Sequence, residues 1–300
     1  MSSGNSGLVI AAYGRRGRLE TAAGKALPFL LRGRRLRVVC GDRVQWEAQS
    51  HGHTAIVTAV EPRRNSLART DPASGRQEIL AANVDCICVV VAAEPAPDWF
   101  VADRFLVAAA AMAARPLLIS NKQDLPSADD PAYAAELAAY MRAGYDLLRV
   151  SAHDVASLQP LLSALDARQA MLVGQSGVGK SSLINALVPG ADQATRALSR
   201  GREGRHATTA SIMHRLAGGA RLIDSPGVRD FLPAIGHEVE IQSGFPEIAA
   251  HAGQCRFRDC RHLHEPGCAV REAAATGEIW PRRYESYRRL LRQQQAAGAR

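Results

Sequence analysis

The sequence predicts an α/β protein in three parts: an N-terminal OB-like β-barrel, a doubly wound parallel sheet, and a C-terminal helical segment built around a Cys/His cluster. Three observations predict it. Residues 8–60 carry short apolar runs separated by Gly and basic turns. From Asn83 onward, continuous apolar runs alternate with helix-length segments. After residue 236 the chain turns polar, gathers Cys and His within a short stretch, and ends in a basic helix.

The barrel comes first. Leu8–Ile10, Arg18–Thr21, Leu36–Val39, Arg43–Trp46 and Thr54–Val57 each span about one strand length, with no helical period between them. Short strands of this kind suggest a small barrel of the OB or SH3-like type, which often binds nucleic acid but does not alone establish function. Val84–Val91 is then an unbroken apolar run, as a strand buried on both faces requires. A helix is expected over Trp99–Ala114, a strand at Leu117–Ile119, a helix over Ala132–Ala143 and a strand at Leu147–Val150. After a further helix come strands at Met171–Val173 and Arg221–Ile223. Strands alternating with helices indicate a doubly wound sheet, whose ligands bind at the carboxyl ends of the strands. A basic helix over Pro281–Gln295 closes the chain. The expected divisions are 1–68 for an RNA-binding barrel, 69–235 for the sheet domain and 236–300 for the Cys/His domain.

Three hundred residues at 47% hydrophobic content can bury a sizeable core, and 5% aromatics make that core aliphatic. No apolar run is long enough for a membrane span. Met1–Gly7 is Ser/Gly-rich and lacks a basic region followed by an apolar one, so no secretory signal is expected. A cytoplasmic, reducing location follows, in which six cysteines are buried or metal-bound rather than disulfide-linked. Cys40, Cys86 and Cys88 sit in apolar runs and read as core. The net charge of +8 is uneven: residues 1–47 contribute +6 and residues 255–300 contribute +5. A basic excess confined to the flanks of a near-neutral middle suggests polyanion contact there.

The motifs fall where the strands end. Gly174-Gln175-Ser176-Gly177-Val178-Gly179-Lys180-Ser181 fits the GxxxxGK[ST] phosphate-binding loop, a pattern that arises by chance in about one chain per hundred of this length. Its backbone N–H groups, with Ser182 opening the helix beyond, would wrap a nucleotide phosphate. Lys180 would reach the β- and γ-phosphates, and the Ser181 hydroxyl would ligate Mg²⁺. Asn121-Lys122-Gln123-Asp124 follows another strand. The Asp124 carboxylate can accept from the ring N–H and exocyclic amine of guanine, a pair of donors adenine lacks. Lys122 can lay its aliphatic stem over the base. Ser151-Ala152 follows the next strand, where a backbone N–H can meet guanine O6. Asp224-Ser225-Pro226-Gly227 fits DxxG, with Asp224 near Mg²⁺ through water and the Gly227 N–H facing the γ-phosphate. Between them lies Gly204-Arg205-His206-Ala207-Thr208-Thr209, polar and suited to a switch, in which Thr208 or Thr209 completes the Mg²⁺ shell. Val228, directly after DxxG, cannot orient the hydrolytic water, which leaves His206 as the nearest polar candidate.

Cys255, Cys260, His262 and Cys268 form C-x4-C-x-H-x5-C. Three thiolates and one imidazole make a closed tetrahedral set for one structural Zn²⁺ per chain, with no open position for catalysis. His264 is the alternative imidazole.

The order of the motifs is unusual. GTPases commonly run phosphate loop, switch threonine, DxxG, NKxD and SA, whereas here NKQD and SA come first. A circular permutation of a P-loop GTPase domain explains this, since the sheet keeps its geometry when the chain is reopened elsewhere. With the barrel, the Arg63–Arg69 joint, the permuted motifs and the Cys/His set together, nearly the whole chain resembles the ribosome small-subunit-dependent GTPase A (RsgA) family. That resemblance implies GTP hydrolysis late in maturation of the 30S ribosomal subunit, stimulated by the subunit and involving contact with 16S rRNA. It also points to His206 as the residue that positions water. The family's switch usually reads GRHTTT; Ala207 replaces its first threonine here, leaving Thr208 and Thr209 as the candidates. A monomer is expected, with no membrane or DNA partner. The competing reading, a signalling GTPase with protein partners, fits poorly with basic flanks.

Overall fold

A computed structural model describes residues 5–49, 53–70, 77–188, 190, 211–224 and 238–298. Five strands, β1 (Asn5–Tyr13), β2 (Arg16–Thr21), β3 (Ala26–Leu31), β4 (Arg43–Ala48) and β5 (Ala55–Val60), form the N-terminal barrel. Their order is β1-β2-β3-β5-β4, and a β1–β4 pairing closes the ring. Inward positions alternate along each strand, so Val9, Leu19, Phe29, Val44 and Val57 are essentially inaccessible to solvent. The third strand is Ala26–Leu31, and the strand expected at Leu36–Val39 does not form. Leu36–Val39 is apolar because Val38 is buried and Leu36 packs on the barrel core, not because it joins a ladder. The Asp42 carboxylate instead accepts from the Val39 N–H at 2.8 Å and holds this segment as a loop. Pro28 is tolerated in β3 because β5 pairs only with Phe29–Leu31, so its missing N–H costs no bond on that side.

β6 (Ser66–Thr70) and β7 (Gln77–Ala82) form a separate hairpin. The residues before it fasten barrel to sheet. Arg63 pairs with Asp42 of the barrel at 2.7 Å. Arg64 pairs with Asp85, and the Asn65 amide accepts from Val84 N and donates to Val84 O and Met112 O.

The central domain contains β8 (Cys86–Val91), α1 (Trp99–Ala111), β9 (Arg115–Ser120), α2 (Pro131–Arg142), β10 (Leu147–Arg149), α3 (Gln159–Leu165), β11 (Gln169–Val173), α4 (Lys180–Leu187), β12 (Ile212–Arg215) and β13 (Arg221–Asp224). β10, β9, β8, β11 and β13 are parallel neighbours in that order. Successive strands run outward from β8 on one side and then jump back to β11 on the other. The crevice of a doubly wound sheet opens at that reversal. Every residue of β8 is buried, as its continuous apolar run predicts, and separate clusters fill the two faces, one aliphatic and one that also holds Phe105, Tyr133, Tyr140 and Tyr145. Cys40, Cys86 and Cys88 are core residues. β12 runs antiparallel to β13 and also pairs with β1, so the barrel and central strands form one continuous sheet.

The C-terminal part comprises α5 (Glu238–Ser243), α6 (Pro246–Ala252), α7 (Ala269–Thr276) and α8 (Pro281–Gly298). Its apolar core includes Phe100 and Val107 of α1, so it is docked on the central domain. At that seam Arg283 is fully buried, paired with Asp103 of α1 at 2.6 Å and with Glu247 at 2.7 Å. A guanidinium removed from water this completely is tolerable only with such partners. Among the described residues, no helix is long and apolar enough to cross a membrane.

Candidate functional site

The segments after β9, β10 and β11 and the end of β13 lie at one edge of the parallel sheet. After β11 the chain makes the turn that its three glycines permit: Gly174, Gly177 and Gly179 all have positive φ. A Cβ on Gly174 would lie 2.2 Å from Val90 O, and one on Gly179 would lie 2.3 Å from the Asn121 amide nitrogen. The loop therefore needs glycine for contact as well as for conformation. Gly179, which opens α4, has no side chain of its own to cap the helix, and phosphate oxygens are the acceptors such a helix start takes. Lys180 Nζ lies over the loop, donating to Gly174 O at 2.7 Å and Gln175 O at 2.6 Å.

The Asn121–Asp124 turn is bolted to this loop. Asn121 is buried, and its Nδ2 donates to Val178 O at 2.9 Å. Its Oδ1 is buried without a hydrogen-bond partner. Lys122 adopts positive φ and sends Nζ to Glu94 O at 2.9 Å. The exposed Asp124 accepts from the Ser151 hydroxyl at 2.5 Å. That bond, its own backbone N–H, and the charges of His153 and Lys122 hold the Asp124 carboxyl below its ordinary value. It is therefore ionised at neutral pH, the form that accepts from two donors. Asn121, Lys122, Asp124, Ala152, Gly179 and Ser182 line one cleft of about 230 Å³, joined by Leu125 and His153. Both halves of the expected nucleotide site, base-side and phosphate-side, meet there. A larger cleft of about 450 Å³, between the start of α1 and α8, contains none of the motif residues.

Several supports left no trace in the sequence. The Ser157 hydroxyl accepts from Ser151 N at 2.9 Å and donates to Asp154 O at 2.7 Å, fixing the Ser151–Ala152 turn. Gln175 accepts from Asp98 N at 2.7 Å, tying the phosphate loop to the start of α1. The Gln175 contact reaches a segment far away in the chain, the Ser157 contact is local, and neither residue belongs to a motif for that role. His153 follows Ser151-Ala152 directly, and only that adjacency could have suggested it. Asp224 ends β13, beside β11, on the same edge as Ser181. A hydroxyl and a carboxylate are hard oxygen donors, the set that suits Mg²⁺. His206, Thr208, Thr209 and Gly227 lie outside the described residues.

The metal set is assembled between α6 and α7. Donor atoms of Cys255, Cys260, His262 and Cys268 all lie within 4.8 Å of one another. His262 Nδ1 is 3.5 Å from Cys255 Sγ and 3.4 Å from Cys268 Sγ, and those sulfurs are 3.9 Å apart. Tetrahedral Zn²⁺ at ordinary bond lengths separates its ligands by about 3.6 Å for N to S and about 3.8 Å for S to S. The donor set fits zinc. His262 is buried while His264 is exposed, which decides between the two imidazoles in geometry. Burial lowers the His262 pKa, keeping the ring neutral as a ligand must be, and pushes the Cys260 thiol up to about 12. A bound cation is what ionises such thiols. The turn is held from below: burial would raise the Glu265 carboxyl, but backbone N–H groups of Arg261, Leu263, His264 and Glu265 itself hold it at about 2. Tyr284 of α8 donates to His262 O at 2.6 Å.

The chain matches the RsgA GTPase family model over residues 60–232. It is 45% identical over 294 residues to the small ribosomal subunit biogenesis GTPase RsgA of Azotobacter vinelandii, covering 95% of this chain and 84% of the relative. The protein of the same name from Pseudomonas fluorescens is 42% identical, with the same coverage. Among solved structures it resembles YjeQ from Thermotoga maritima, with a TM-score of 0.76, 29% identity, and coverage of 97% of this chain and 98% of that one. It also resembles YloQ, described as a circularly permuted GTPase, with a TM-score of 0.73, 26% identity and coverage of 98% and 96%.

Proposed function

The chain belongs to the RsgA GTPase family, and from that premise we propose that it couples GTP hydrolysis to late maturation of the small (30S) ribosomal subunit, binding 16S rRNA. The observation that carries the nucleotide half is the Asn121–Val178 bond, which locks the guanine-reading turn onto the phosphate loop. The ribosomal half is supported by the relatives' names and by the +6 and +5 flanks. The divisions at 68/69 and 235/236 belong to the same reading, supported by a separate apolar core in the barrel and a further cluster by which the C-terminal helices dock on α1.

Asp124 reads guanine, with Lys122 along the base and the Ser151–Ala152 backbone near O6. Gly174–Ser182 wraps the phosphates, and Lys180 leaves its two loop carbonyls to meet phosphoryl oxygens. Ser181, and Asp224 through water, would hold Mg²⁺, which would supply charge neutralisation at the phosphates. Thr208 or Thr209 would complete that shell, and the Gly227 N–H would face the γ-phosphate. Cys255, Cys260, His262 and Cys268 would hold one Zn²⁺ per chain, in a structural role. His206 orients the attacking water, because Val228 has no group that can. His206→Ala is expected to lower kcat and kcat/KM together by about 10²-fold while GTP affinity holds, since the lost contribution exists only in the transition state. Equal loss of binding and turnover would make His206 structural.

The decisive experiment is turnover of the full chain with 30S subunits, 50S subunits and naked RNA across a salt series. Basal turnover is slow without a switch glutamine, and 30S subunits raise kcat. Phosphate contacts release counterions, so the stimulation falls steeply with salt while basal hydrolysis changes little. Equal stimulation by all three would reduce the ribosomal claim to generic polyanion binding.

A further inference from the structure

The β12–β13 hairpin contains a like-charge pair. Arg215 and Arg221 stand directly opposite each other in its antiparallel register, an arrangement that weakens a ladder by itself. Their shared counter-ion comes from the barrel. Glu20 of β2, only 8% exposed, takes the Arg215 guanidinium on Oε2 at 2.6 and 2.7 Å and the Arg221 guanidinium on Oε1 at 2.9 Å. The backbone adds a second link at the same seam, because Ala11 of β1 pairs with Ile212 of β12. Ile212 in turn stands opposite Asp224. Barrel backbone and the carboxylate at the nucleotide edge are thus separated by one residue of β12, and a barrel side chain neutralises the other end of the same hairpin.

We propose that Glu20 is a positioning residue for GTP hydrolysis: it locks the barrel to the β12–β13 hairpin, so that placement of the barrel on RNA sets the placement of Asp224. This rests on the reading that the small subunit stimulates turnover. Without Glu20 the hairpin carries two opposed cations at one end and loses its ionic link to the barrel, keeping the β1–β12 pairing and the apolar packing of β1, so barrel movement is less tightly coupled to Asp224. With Glu20 in place, barrel and hairpin move as one sheet. Glu20 belongs to none of the nucleotide or metal motifs, and as an acid it adds nothing to RNA affinity.

The test uses the full chain with Glu20→Gln, Glu20→Arg, Arg215→Glu, and the double reversal Glu20→Arg with Arg215→Glu. Glu20→Gln should keep basal turnover within about twofold of the parent and bind 30S subunits normally by sedimentation. Its 30S stimulation should fall roughly tenfold, the scale of one charge-assisted hydrogen bond. The double reversal restores an acid–base pair across the seam with the two charges exchanged, and leaves Arg221 facing an acid on the opposite strand. It should recover stimulation that each single reversal loses. Simple loss of folding cannot produce that rescue. Hydrogen exchange without ribosomes should show faster exchange confined to 212–224 in Glu20→Gln. Wild-type-like stimulation of Glu20→Gln, or a double reversal no better than the singles, overturns the proposal. If the parent itself is not stimulated by 30S, the ribosomal reading has failed separately. Exchange then decides this inference, and unchanged protection at 212–224 overturns it.

Discussion

Asp124→Asn should weaken GTP binding by roughly a hundredfold or more and raise the relative affinity for xanthosine triphosphate. The carboxylate is ionised and aimed by the Ser151 hydroxyl, so it offers two acceptor oxygens to the two guanine donors. An amide in the same place keeps one acceptor and presents an N–H₂ to the guanine amine, donor against donor. Xanthine carries a carbonyl there, and the amide can donate to it. Asp124 is exposed, so the substitution should leave the melting temperature nearly unchanged. Titration of both nucleotides measures the swap directly. GTP affinity equal to the parent's would show that this turn does not read the base.

Cys255→Ser is the second large effect, and its target is stability. The parent should contain one zinc per chain by elemental analysis, and the variant less than one. Residues between α6 and α7 have no regular secondary structure of their own, and Cys255, Cys260 and Cys268 belong to the same apolar cluster as Phe245, Ile248 and Val270. Removing a ligand from a closed site forfeits metal-binding energy that counts as folding energy. Hydrogen exchange should therefore rise over residues 250–275 and the melting temperature should drop by several degrees. The phosphate loop should still bind nucleotide, because β11 and α4 are packed in a separate cluster. A zinc-free parent protein would refute the site.

The tertiary structure also changes which truncation is informative. Residues 1–68 read in the sequence as a barrel of their own, which makes deletion of that part look like a clean test of the GTPase core. In the fold, β1 is the partner of β12, and Glu20 neutralises Arg215 and Arg221. Deletion would expose the β12 edge opposite Asp224 and leave two opposed arginines at the far end of the same hairpin. Point substitutions at the seam test coupling more cleanly than the truncation.

The nucleotide motifs and the Cys/His set were legible because their chemistry dictates residue type at fixed short spacing. Gly174 and Gly179 must lack a Cβ, Lys180 and Ser181 must follow the turn, Asp124 must be an acceptor, and zinc accepts few donors. The doubly wound sheet was legible for a similar reason: a strand buried on both faces, such as Cys86–Val91, must be apolar throughout. Local pattern failed where burial came without pairing, as at Leu36–Val39, and where pairing came despite proline, as in β3. The bond of Gln175 to Asp98, the Ser157 brace and the Glu20 clamp join residues with no spacing rule between them. Sequence thus determined which side chains are proposed for the chemistry, since each role admits only certain functional groups. Only the tertiary structure decided what holds them in register, because long-range partners are chosen by packing, which no local pattern encodes.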